Sequence, residues 1–131
     1  MAPGTRGQGV RVAVPVYIGH GTPGMHTYVN RVEEGHAVLD AARAALNVAK
    51  QPADSPVGIM GYSQGGGAAA AAAELASDYA PELNIKGAFF GAPPAVLFAT
   101  LGGLNGGLAS SLIGFALNSF SSSGPDFARA E

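Results

Sequence analysis

No cysteine occurs in the chain. That absence excludes a disulfide framework, a thiolate nucleophile and a cysteine-based zinc site, and it leaves the redox compartment open. Charge is sparse too: charged residues are 12% of the composition, the formal net charge is −2, and the seven lysines and arginines are scattered. Without a basic stripe, neither nucleic acid nor an anionic membrane surface is an expected partner. No apolar run approaches the roughly 20 residues of a spanning helix, so no integral membrane span is expected. The opening Met1-Ala2-Pro3-Gly4-Thr5-Arg6-Gly7-Gln8-Gly9 has one charge and no apolar stretch after it. It does not read as a signal peptide. Either the protein is not exported by that route or its N-terminus lies further upstream.

What remains is apolar and rich in small residues. Hydrophobic residues make up 47% of 131 positions, with 20 glycines, which suits one domain with a modest core and excludes disorder. After a loose segment over 1–9, the β-branched Val10-Arg11-Val12-Ala13-Val14 reads as a strand closed by Pro15. A glycine-rich loop, Gly19 to Gly24, leads to a helical pattern from about Thr27 to Val48. Its apolar face runs through Val29, Val32, His36, Leu39 and Leu46, with Glu33, Glu34, Asp40 and Asn47 off that face. Val57 to Met60 is a short apolar strand, and a helix follows from Gly65 or Gly66 to Tyr79. Asn84 to Phe90 is a third strand, ended by Gly91-Ala92-Pro93-Pro94. This alternation predicts an α/β domain, a parallel sheet with flanking helices. Beyond a glycine-rich 101–107, Leu108, Leu112, Phe115 and Ala116 mark an apolar helical face, broken by Ser121-Ser122-Ser123-Gly124-Pro125. Three strands leave exposed sheet edges, which point to self-association and to a part of a larger domain.

Gly61-Tyr62-Ser63-Gln64-Gly65 joins the second strand to an alanine helix. A G-x-S-x-G pentapeptide in a strand–turn–helix context is the pattern of a nucleophile elbow. The turn projects the serine hydroxyl toward a base and toward oxyanion donors, without which it is a poor nucleophile. The Gln64 backbone amide, at a helix N-terminus, is one such donor. A second is expected from the loop after the first strand, between Val16 and Gly21. Gly61 and Gly65 leave the tight turn unobstructed. The competing reading of Ser63 is a helix-capping serine. Asp78 and Asp126 lie after Ser63, but His20, His26 and His36 all lie before it. An α/β-hydrolase runs in the order nucleophile, acid, histidine. The general base is therefore left unassigned: His20, in its loop, could approach the pocket, His36 reads as packed on its helix, and His26 sits near the helix start. The scattered histidines lack ligand spacing, so neither a metal nor any other cofactor is expected.

With these residues in view, the chain resembles the secretory lipase family of α/β-hydrolases. The segments that carry the likeness are Tyr17-Ile18-Gly19, His26-Thr27-Tyr28-Val29-Asn30-Arg31, Gly35 through Ala44, the elbow Gly61 through Gly67, Ala80-Pro81-Glu82-Leu83 and Gly91-Ala92-Pro93-Pro94. The resemblance implies a partial α/β-hydrolase fold: a core over 10–100 that carries the elbow, and the start of a helical cap over 101–131. It implies a secreted serine hydrolase of acylglycerols or other esters that works through an acyl-enzyme. On the family pattern Ser63 is the nucleophile, the Gln64 amide one oxyanion donor, and an amide at Val16 or Tyr17 the other. Members usually carry an aspartate before the Tyr-x-Gly segment, where this chain has Val16. The family's acid and histidine fall beyond Glu131, so this chain alone is expected to be inactive or nearly so. Two other readings stay open: a non-catalytic α/β protein that binds acyl chains or a partner, and a cutinase-like esterase or thioesterase.

Overall fold

In the computed structural model, the described residues are 9–94, 106 and 111–123. Five elements stand in the order α1 (Arg31–Val48), β1 (Pro56–Tyr62), α2 (Gln64–Tyr79), β2 (Asn84–Gly91) and α3 (Ser111–Ser123). Strands β1 and β2 pair in parallel, from Pro56 opposite Asn84 to Tyr62 opposite Gly91, with one register shift after Val57. Helix α2 is the crossover between them. The family-type arrangement of a parallel sheet with flanking helices is present, on two strands among the described residues.

The expected first strand is not formed. Val10 to Val14 runs over the surface without ladder partners among the described residues, and Val10, Val12 and Val14 are exposed. β-branched composition favours extended backbone, but a strand exists only where its N–H and C=O groups find a neighbour. The first helix also begins later than its periodicity suggests. Val29 takes φ 57, outside the helical region, and Asn30 becomes the N-cap, its side chain accepting from the Glu33 amide at 3.4 Å. The predicted cap positions 101–105, 107–110 and 124–131 lie outside the described residues, while α3 covers Leu112, Phe115 and Ala116.

Small residues set the layering. The core joins Leu39 of α1, Ile59 of β1, Ala69 and Ala72 of α2, and Ala80 just after it. A Cβ on Gly35 would press on Ala71 and Leu75, at 3.0–3.1 Å, so α1 and α2 pack almost backbone to backbone. Helix α2 covers one face of the sheet. On the other, Met60 and Tyr62 are exposed, as is Phe89 of β2, the partner of Met60 across the ladder. Around α1, Arg43 bonds Glu82 at 2.5 Å, Asp40 at 2.9 Å and the Tyr79 carbonyl at 2.7 Å, fixing the end of α2 to the α1 surface.

Candidate active site

β1 ends at Tyr62 and α2 begins at Gln64, so one residue, Ser63, makes the whole turn. It does so at φ 55, ψ −119, a conformation disfavoured for any residue with a Cβ. Backbone bonds hold it on both sides: Ser63 N–H donates to the Gly91 carbonyl at 2.9 Å, and its own carbonyl accepts from Gly67 N–H at 3.0 Å. Its side chain makes no capping hydrogen bond, which removes the feature that would define a capping serine. Ser63 is exposed at the tip.

The glycines around it are not equivalent. A Cβ on Gly61 would overlap the Gly65 carbonyl, and one on Gly66 would overlap the Gly91 carbonyl. At Gly65 no atom among the described residues lies within 4 Å of an added Cβ. Gly61 and Gly66 are therefore the sterically obligatory pair. The small size of Gly66 is what lets the start of α2 lie against the end of β2, as a glycine following the elbow suggests.

Gln64 places its backbone N–H in the first turn of α2, where helical amides lack an intrahelical partner and the dipole favours negative charge. Its side chain reaches across to α1, donating from Nε2 to Glu34 Oε1 at 2.7 Å. Glu34 also accepts from the Val29 amide at 3.0 Å and is 2% exposed. Burial pushes its carboxyl from an ordinary 4.5 up to about 7, against the lowering effect of the Gln64 and Val29 hydrogen bonds. The sequence pattern put Glu34 on the open side of the helix. The buried side instead runs through Glu34, Gly35 and Leu39, and the available signal was an acidic residue in line with Gly35, Val38 and Leu39.

The upstream loop approaches the same carboxyl. Tyr17 is half-buried, and desolvation followed by the Glu34 charge raises its phenol; Tyr28 is raised by the same causes in the same order. Val16 is exposed, and Tyr17 C=O accepts from the His20 amide at 3.1 Å. Gly19 sits at φ 81, where a Cβ would overlap the His26 amide, so the loop folds tightly on itself. Each histidine is engaged elsewhere. His20 meets His26 edge-on at 4.0 Å, His26 Nδ1 lies 3.0 Å from the Ile18 carbonyl, and His36 stacks on Tyr79 at 3.8 Å. No hydrogen bond joins a histidine to Ser63 among the described residues. Two concavities, of about 250 Å³ beside Arg43 and Leu83 and about 900 Å³ between Val12 and Lys50, lie away from Ser63. No group of three or more metal-ligating side chains occurs among the described residues.

The pattern of the secretory lipase family matches residues 4–130. The chain belongs to the secretory lipase family. The crystal structure of Candida antarctica lipase A in its closed state superposes with a TM-score of 0.70 at 39% identity, over 79% of this chain and 24% of that one. This secretory lipase chain thus has part of an α/β-hydrolase fold. A probable inactive lipase of Mycobacterium tuberculosis is 45% identical over 100 residues, 74% of this chain and 22% of its own length. A secreted triacylglycerol lipase of Malassezia furfur is 43% identical over 82 residues, 61% of this chain and 17% of its own length. The chain spans about a fifth of the length of the curated relatives it matches.

Proposed function

We propose that this secretory lipase chain carries the nucleophile and the oxyanion donors of a serine ester hydrolase acting on acylglycerols or related esters. The observation that carries the reading is Ser63 at φ 55, ψ −119 between a strand and a helix, with its hydroxyl uncommitted to a cap. Ser63 Oγ attacks the ester carbonyl carbon and gives up its proton to a base. The carbonyl oxygen gains the negative charge, and the Gln64 N–H donates to it. Collapse expels the alcohol with a proton and leaves an acyl-serine, which water hydrolyses to the free acid. An amide at Val16 or Tyr17 supplies the second donor in this reading. His20 is not assigned as the base, because its ring is turned to His26.

The division into a core over 10–100 and a cap from 101 belongs to the same proposal, as does secretion, which the family and the secreted relatives support. No helix among the described residues is long and apolar enough to cross a membrane. The open sheet face at Met60, Tyr62 and Phe89 supports association with another apolar surface.

The mycobacterial relative described as a probable inactive lipase favours a second reading, a chain that keeps the elbow without turnover. A serine-directed phosphonate and a p-nitrophenyl ester separate the two. Labelling at Ser63, with hydrolysis abolished in Ser63→Ala, is the expected result for the whole protein; the chain of 131 residues alone is expected to show little turnover. Hydrolysis unchanged by Ser63→Ala would overturn the reading.

A further inference from the structure

Glu34 is a buried acid that the proposed chemistry leaves unused. A carboxyl at 2% exposure must be held by hydrogen bonds to remain there. Its two donors converge on one oxygen, Oε1, and come from separate segments: Gln64 Nε2–H at 2.7 Å from the elbow and Val29 N–H at 3.0 Å from the turn before α1. Val29 is β-branched and sits at φ 57, a position that persists only when its surroundings hold it. Gln64 is the residue whose backbone amide faces the reacting oxygen in the reading above. A single atom therefore connects a strained turn of the upstream loop to the oxyanion donor.

We infer that Glu34 is a positioning residue for ester hydrolysis at Ser63: by gripping the Gln64 side chain and the Val29 amide together, it sets the direction of the Gln64 backbone N–H. This rests on Ser63 being the nucleophile. The groups around the carboxyl fit a fixed, internally satisfied acceptor. Glu33, one residue before it, bonds Thr27 and opposes its ionisation; Tyr17 and Tyr28 approach from the loop; Gln64 from α2 is neutral. Arg31, the nearest cation along α1, is paired with Glu74 at 2.9 Å. No cation competes with Gln64 for Oε1 among the contacts described.

The test uses the whole protein that contains these residues. Glu34→Leu, which removes the acceptor, is expected to lower kcat roughly tenfold to a hundredfold with KM within about twofold, a smaller loss than outright removal of an oxyanion donor. Gln64→Met breaks the same contact from the other side and is expected to match it, with no further loss in the double variant. Glu34→Gln keeps an acceptor oxygen and is expected to retain most of kcat. The side-chain amide resonances of Gln64, followed by NMR, are expected to titrate near pH 7 in the parent and not in Glu34→Gln. If Glu34→Leu fails to fold, Gln64→Met and the titration decide. Parental kcat in Gln64→Met, or Gln64 resonances indifferent to Glu34, would overturn the inference. Activity that survives Ser63→Ala sinks the hydrolase reading instead, and the Gln64 titration then shows by itself whether Glu34 holds the elbow.

Discussion

The backbone N–H of Ser63 donates to the carbonyl oxygen of Gly91 at 2.9 Å, tying the tip of the elbow to the end of the neighbouring strand. The same carbonyl would be overlapped by a Cβ on Gly66, so one oxygen both holds the turn and limits what may follow it. Glycine substitutions should reveal this. Gly61→Ala and Gly66→Ala are expected to destabilise by about 1–3 kcal/mol or more, and to suppress phosphonate labelling of Ser63. Gly65→Ala, with open space around it, is expected to be neutral or to stabilise by up to about 1 kcal/mol through helix propensity. Thermal unfolding of the three variants checks the ordering; equal effects at all three positions would contradict it.

Ser63 itself stores strain. Ser63→Gly is expected to raise stability by about 1 kcal/mol, the relief of a disfavoured φ partly offset by glycine's greater freedom when unfolded. Ser63→Ala retains the strain and is expected to leave stability near the parent. Both lose hydrolysis. Denaturant midpoints for the pair distinguish strain from the loss of the hydroxyl.

The Glu34 carboxyl makes stability depend on pH. Its folded value, about 7, lies above the ordinary 4.5, so the folded state binds the proton more tightly. Its contribution is fully present below about 4.5 and is lost as pH rises to about 7, each unit of separation being worth about 1.4 kcal/mol. Glu34→Gln is expected to flatten the stability profile between these limits, read from denaturant titrations at several pH values. An unchanged slope would show that the carboxyl does not titrate there.

Leu39 is fully buried where α1 meets α2. Leu39→Ala is expected to cost about 2–5 kcal/mol by opening a cavity that small neighbours cannot fill. Arg43→Lys is expected to lower the thermal midpoint, because an ammonium cannot hold Glu82, Asp40 and the Tyr79 carbonyl in the fork geometry of the guanidinium. Restoration of the parental midpoint by lysine would show that charge alone matters there.

The strand–elbow–helix–strand segment from Pro56 to Gly91 was legible because each part has a strong local signal: a short apolar run, glycines at a turn, an alanine helix stopped near Pro81. The α1 boundary was less so, since Val29 looks like a helical apolar position until the turn before Asn30 forces it out. Val10 to Val14 failed for a different reason: its sequence states a preference for extension, and pairing is a property of neighbours. Glu34 was hidden because polarity normally reports exposure, and the small residues on its side of α1, Gly35 above all, carry little hydrophobic signal while packing most closely.

That close seam between Gly35 and Ala71 acts as a ruler. Two helices separated by long side chains can drift as those side chains change rotamer, whereas backbones in near contact have almost no slack. The reach from Glu34, next to Gly35, to Gln64 at the start of the facing helix is therefore set by main-chain bulk. Mutational drift on the outer surfaces of α1 and α2 leaves that calibration untouched. A single added methyl at position 35 would change it.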